Sequence, residues 1–134
     1  MPYLIDTNIA IYLRDGHREV TQRIVDLGDV PAISLITLVE LEGGVYANPA
    51  LAALRRARID AMLTETRVIA MDASIVAGYG DIVRELGYSR TQLIDRLIAA
   101  TAILHDLVLI TINGQDFGNI PGLSLEIWPA PTAQ

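Results

Sequence analysis

The stretch Met1-Pro2-Tyr3-Leu4-Ile5-Asp6-Thr7-Asn8 decides how the chain is read. Tyr3, Leu4 and Ile5 make an apolar run long enough for a short buried strand, and Asp6 ends it. A carboxylate at the C-terminal end of a buried strand stands where open α/β sheets bind ligands. The same residue suits the N-cap of a following helix, since Asp, Thr and Asn all favour that position. Taken alone, Asp6 reads either as a helix cap or as a functional carboxylate. Acids at comparable places further along bear on the choice.

Outward from that stretch, apolar spacing predicts strands alternating with helices. Residues 7–14 form a short helix broken at Asp15-Gly16, and 17–27 form another ended by Gly28. Pro31-Ala32-Ile33 is a strand, and Ser34 caps a helix over 35–46. Within that helix Glu40 shares a face with Ile36, Thr37, Gly43 and Gly44. Two glycines in a helix cost about 1 kcal/mol each, so close approach of another backbone is expected there. Asn48-Pro49 starts the next helix, with Leu51, Leu54, Ile59, Met62 and Leu63 as its apolar stripe. Arg55, Arg56 and Arg58 gather on its other side, which reads as a solvated face balanced by acids, with an RNA-contacting rim as the alternative.

Residues 67–71 form a strand, and Asp72 caps a helix over 73–86 ended by Gly87. Gly78-Tyr79-Gly80 falls inside that helix, so it is no dinucleotide-binding loop. The helix over 92–105 is apolar nearly all round and therefore buried, yet it carries Asp95. A carboxylate there needs a cation or firm hydrogen bonds. Arg96 follows it in sequence but faces away, which makes it a poor partner. Val108 to Ile112 is β-branched and apolar, as in the middle of a parallel sheet. Asp116 lies just past its end, either an ordinary turn residue or a second Asp6. Residues 125–128 form the last strand. No internal repeat, linker or second domain is visible, so 1–134 reads as one domain.

Composition narrows the chemistry. The chain has 134 residues, 51% hydrophobic and 19% charged, enough to bury a core. No apolar run reaches the roughly 18 residues that span a bilayer, and the chain goes straight into a strand without a secretory leader, so a cytoplasmic home is expected. Absence of cysteine excludes disulfides, thiol nucleophiles and zinc–cysteine sites. His17 and His105 are the only histidines, so a two-histidine metal site is not expected. All 10 basic residues are arginine; without lysine there is no Schiff-base chemistry, phosphate-binding loop of the nucleotide hydrolases or usual phosphorylation receiver. A net charge of -6 argues against a broad basic nucleic-acid surface but leaves room for an acidic pocket that recruits a divalent cation.

The expected architecture is a mainly parallel sheet with helices on both faces. In it Asp6 and Asp116 lie at the carboxyl edge, with Glu40 and Asp95 in helices that begin at that edge or pack across it. Four carboxylates brought together there repel one another unless a cation holds them. An all-oxygen donor set selects Mg²⁺ or Mn²⁺, and such sites suit phosphoryl chemistry.

Four blocks then carry a resemblance. They are Ile5-Asp6-Thr7-Asn8, Ser34-x-x-Thr37-x-x-Glu40-Leu41, Asp95-x-x-Ile98-Ala99-Ala100-Thr101-Ala102 and Thr111-x-Asn113-x-x-Asp116-Phe117. Together they resemble the signature of PIN-domain nucleases, and more closely the VapC/FitB-like toxins of type II toxin–antitoxin pairs. Each block is weak alone; four in order across the chain are specific. The resemblance implies an α/β/α sandwich around a central parallel sheet and a single Mg²⁺- or Mn²⁺-dependent endoribonuclease domain. It also implies a homodimer, a cognate antitoxin laid over the active groove, and operator DNA bound only through that antitoxin. Carried over by motif, Asp6, Asp95 and Asp116 would face the metal, and Glu40 would be a ligand or orient the attacking water. Thr7, Asn8, Thr111 and Asn113 would hold these acids by hydrogen bonds. Arg96 departs from the family, which often has an apolar residue there; a surface position is expected, with contact to substrate phosphate the alternative. Competing readings are a PIN-fold nuclease of RNA or DNA processing without an antitoxin, and a binding module whose acids no longer cleave.

Overall fold

The structure is a computed structural model and describes residues 2–132. Strand β1, Tyr3–Ile5, lies at the centre. It pairs in parallel with β4, Val108–Thr111, which pairs in parallel with β5, Ser124–Ile127. On its other side the two-residue strand β2, Ile33–Ser34, pairs with β3, Val68–Ile69, also in parallel. Ile5 N donates to Ala32 O at 3.1 Å and Ala32 N to Tyr3 O at 2.8 Å, which stitches β2 to β1. The spatial order is therefore β3-β2-β1-β4-β5. Successive strands run one way from β1 to β3 and the other way from β4 to β5. The order reverses between β1 and β4, and open α/β sheets form their ligand crevice at such a reversal.

The helices are α1 Thr7–Arg14, α2 Arg18–Asp26, α3 Leu35–Ala47, α4 Ala52–Leu63, α5 Ala73–Leu86 and α6 Leu93–Leu104. A 3₁₀ turn over Pro49–Leu51 precedes α4, with the Asn48 side chain capping it through Ala50 N. The starts of α1, α3 and α5 are set locally: Asp6, Ser34 and Asp72 each accept a hydrogen bond from the backbone N–H three residues on. Gly28 and Gly87 follow the ends of α2 and α5 with φ of 73° and 88°, values that a side chain would strain.

The two-residue period of the strands sorts the core into two layers. Leu4 and Leu109 point to the face covered by α5 and α6, packing with Ile75, Ile82, Ile98, Ala99 and Ala102. Ile5, Ile33 and Ile110 point to the opposite face, packing with Ile9, Val20, Leu41, Val45 and Ile59 from α1 to α4. Helices thus lie on both faces of a parallel sheet, the α/β/α arrangement anticipated above. One local expectation needs correction. The α3 glycines do not receive another backbone: a Cβ on Gly43 would meet open space, and one on Gly44 would meet Arg14 Nη1 at 3.3 Å. Gly44 also offers its carbonyl to Arg55 Nη1 at 2.7 Å. Here the glycine makes room for arginine side chains.

Candidate active site

Asp6 is both cap and groove residue. One oxygen, Oδ1, accepts from Ile9 N at 3.0 Å and starts α1. The other, Oδ2, accepts from Thr111 Oγ1 at 2.5 Å. Thr111 ends β4 and Asp6 follows β1, so this bond closes the crevice between the two strands where the order reverses. Asp6 is only 3% exposed. Burial pushes its carboxyl above the ordinary range; the bonds from Thr111 and Ile9 pull the other way, and Asp116 and Glu40 push it up further.

Glu40 arrives from the second turn of α3. Thr7 Oγ1 donates to Glu40 Oε1 at 2.5 Å. Behind Thr7 lies a ladder of hydroxyls: Thr37 Oγ1 is 3.1 Å from Thr7 Oγ1, and Ser34 Oγ donates to Thr37 Oγ1 at 3.3 Å. A hydroxyl has one proton to give. With that of Thr7 spent on Glu40, Thr37 must donate to Thr7, so the three hydroxyls point one way and end on the carboxylate. Ser34 and Thr37 are fully buried. Their part in the site is written in the spacing Ser34-x-x-Thr37-x-x-Glu40, which places them on successive turns of one helix face.

Asp95 lies in the first turn of α6. Its carboxyl is pushed up to about 6, first by burial and then by the negative charges of Asp116, Asp6 and Glu40. The four acids therefore act on one another electrostatically, although they come from four separate blocks of sequence. Asp6, Glu40 and Asp95 line one groove of about 530 Å³, together with Asn8, Arg90 and Thr91. Asp116, in a 3₁₀ turn after β4, is felt by Asp6 and Asp95 but does not line that groove.

Among the described residues the ion pairs are Arg14–Asp15, Arg56–Glu42, Arg56–Asp60 and Arg84–Asp81, and none involves the four acids. Nor do three acidic or imidazole side chains among them close on a common point at ligand distance. Mg²⁺ keeps several of its waters and takes one or two carboxylates, so a groove with three unpaired carboxylates and a fourth nearby fits a hydrated hard cation.

The other residues singled out in the sequence divide. Thr7 and Thr111 hold Glu40 and Asp6. Asn8 lines the groove but its side chain bonds to no acid among the described residues. Asn113 contributes its backbone N–H, donated to Thr111 Oγ1 at 2.9 Å, rather than its side chain. Arg96 is not at the surface: it is 5% exposed, and its Nη1 donates to Gly87 O at 2.6 Å. The apolar helix carries it inward, and the carbonyl at the end of α5 receives it. Arg56 is balanced by Glu42 and Asp60, while Arg55 and Arg58 bind the carbonyls of Gly44 and Asp15. Nothing in the local sequence pattern of Arg90 and Thr91 announces their place on the groove.

Comparison with known proteins places the fold in a family. The PIN domain family model matches residues 3–123. Ribonuclease VapC2 of Rickettsia felis is 33% identical over 135 residues, covering 96% of this chain and 98% of that one. The tRNA(fMet)-specific endonuclease VapC of Salmonella typhimurium is 30% identical over 132 residues, with the same coverage. Among solved structures, VapBC2 from Rickettsia felis bound to a DNA fragment from its promoter has a TM-score of 0.83 at 30% identity, covering 96% of this chain and 99% of that one. A toxin–antitoxin complex from Klebsiella pneumoniae has a TM-score of 0.72 at 36% identity, covering 90% and 94%. By the family model that matches residues 3–123 and by relatives 30% or more identical along nearly the whole chain, the chain belongs to the PIN-domain family, a nuclease fold, in its VapC branch.

Proposed function

We propose that this chain is the ribonuclease toxin of a type II toxin–antitoxin pair, hydrolysing RNA phosphodiester bonds with Mg²⁺ or Mn²⁺. The observation that carries the reading is the convergence of Asp6, Glu40 and Asp95 on one groove, where no cationic side chain among the described residues pairs with any of them. Asp6, Asp95 and Asp116, with Glu40 beside them, would hold the cation, which supplies Lewis-acid polarisation of a phosphate and a lowered pKa for a bound water. Thr111 fixes the rotamer of Asp6 from behind. Thr7 occupies Oε1 of Glu40, leaving Oε2 to orient the attacking water and accept its proton.

The partners follow the relatives. Structures of DNA-bound VapBC pairs, one of them on promoter DNA, support a cognate antitoxin; that it lies over the groove and carries operator binding is part of the same proposal. A homodimer is part of the same proposal, as is a cytoplasmic site of action; no helix among the described residues is long and apolar enough to cross a membrane. The test is cleavage of labelled RNA by the purified protein with Mn²⁺, with EDTA, and as Asp95→Asn. Cutting by the unmodified protein with Mn²⁺ alone is expected. Equal cutting in EDTA or by Asp95→Asn would sink the proposal. Growth arrest on induction, relieved by co-expressing the neighbouring gene, separates a toxin from a processing nuclease.

A further inference from the structure

A groove lined by carboxylates on a chain of net charge -6 has to hold a polyanion. The cation at the acids can serve the phosphate under attack, but the neighbouring phosphates still meet a negative field. Most of the chain's arginines are engaged elsewhere. Arg56 and Arg84 pair with acids, and Arg55, Arg58 and Arg96 donate to backbone carbonyls.

Arg90 differs. It is exposed, it lines the groove that holds Asp6, Glu40 and Asp95, and its side chain has no ion pair or hydrogen bond among the described residues. It stands in the loop between α5 and α6, five positions before Asp95. That loop is tied down at several points. Gly87 opens it with a φ of 88°, and Arg96 Nη1 grips Gly87 O at 2.6 Å. Ser89 Oγ lies 3.2 Å from Thr91 Oγ1, and Leu93 N reaches Arg90 O at 3.4 Å. A backbone fixed in this way holds the base of the side chain at the rim, so that only the side chain itself has to be ordered on binding. A planar guanidinium matches phosphate oxygens in pairs and stays charged at any working pH.

We infer that Arg90 is the RNA-gripping residue of this chain, binding a phosphate next to the one cleaved. The inference rests on the ribonuclease reading above. It is tested by steady-state cleavage of a labelled single-stranded oligoribonucleotide with Mn²⁺ over a series of salt concentrations, comparing the unmodified protein, Arg90→Ala, Arg90→Lys and Arg67→Ala. Arg67 is also exposed but lies away from the groove. Arg90→Ala should raise KM about tenfold with kcat held within about twofold, the loss of one charge-assisted contact. Its plot of log KM against log salt should be shallower by about 0.7, one phosphate contact on a single strand. Arg90→Lys should restore the salt slope and only part of the affinity, and Arg67→Ala should match the unmodified protein. Unchanged KM and salt slope in Arg90→Ala overturn the inference. So does a collapse of kcat at constant KM, or a defect confined to inhibition by the antitoxin. No cutting by the unmodified protein would instead remove the ribonuclease reading on which the inference stands.

Discussion

Thr111 Oγ1 and Asp6 Oδ2 meet at 2.5 Å across 105 positions of the chain, and this side-chain bond, beside that from Asp6 N to Ile110 O, joins the ends of the two strands that flank the crevice. It also satisfies a carboxylate that is 3% exposed. Thr111→Val keeps the shape and removes the donor. It should cost about 1–3 kcal/mol in chemical denaturation, the usual price of leaving a charged group without its bond. Cleavage should fall roughly 10- to 100-fold, as when the support of a metal ligand is lost. Unchanged stability and rate would mean the bond contributes little to either.

The hydroxyl ladder ending on Glu40 gives a second prediction. Thr7→Ser retains the donor to Glu40 Oε1, whereas Thr7→Val removes it and strands Thr37. Thr7→Ser should cleave near the unmodified rate, and Thr7→Val roughly 10- to 100-fold slower. Equal rates for the two would show that Glu40 does not depend on Thr7 for its orientation.

Asp95 sets a pH dependence whose sign is opposite to that of a salt-bridged acid. Its folded-state value, about 6, lies above the ordinary 3.8, so folding favours the protonated form. Without a divalent cation the protein should therefore lose stability as pH rises from 3.8 to about 6, then level off. Asp6, also raised, adds in the same direction. Melting temperatures in EDTA, unmodified protein against Asp95→Asn, isolate the contribution. Asp95→Asn should be at least as stable at neutral pH and show a smaller decline. A parallel pH dependence for the two proteins would contradict the elevation of Asp95.

Cation binding reverses that loss. Mn²⁺ or Mg²⁺ at neutral pH should raise the melting temperature of the unmodified protein, because a ligand of the folded state stabilises it by mass action. The rise should vanish in Asp6→Asn. Cleavage should increase with pH as Asp95 ionises and becomes a ligand, with a midpoint below the metal-free value of about 6 because the cation favours the charged carboxylate. An equal shift with and without Asp6 would place the cation elsewhere.

Arg96 anchors the loop that ends α5. Arg96→Met keeps much of the aliphatic packing and loses the bond to Gly87 O. Amide exchange over residues 87–92 should accelerate while the strands stay protected, since the bond lies at the margin of the core. Unchanged exchange in that loop would show that Gly87 and the 89–91 contacts hold it without Arg96.

Much of this was legible in the residues because it is local. Apolar runs and the 3.6-residue period place the strands and helices to within a few positions, and Asp6, Ser34 and Asp72 announce the helices they cap. Helix α5 begins and ends where Asp72 and Gly87 say it should. The four acids were identifiable because each stands at a strand end or on an apolar helix, where a bare carboxylate needs a reason. Other features depend on what comes near in space. Arg96 looked like a surface residue because its neighbour Asp95 faces the other way; its partner is a carbonyl nine positions back. The α3 glycines suggested a second backbone; Gly44 meets the Arg14 side chain instead, and Gly43 faces open space. Asn8 and Asn113 sit within the motifs, yet neither side chain reaches an acid.

By itself the sequence determined the elements, their caps, the parallel sheet and the four acidic positions, all of which follow from residue type and short-range spacing. Only the tertiary structure decided that β1 and β4 lie side by side, so that Thr111 meets Asp6, that Asp116 stands off the groove wall, and that Arg90 comes to its rim. Those outcomes depend on strand order and on loops closed over long stretches of chain, and no local pattern encodes either.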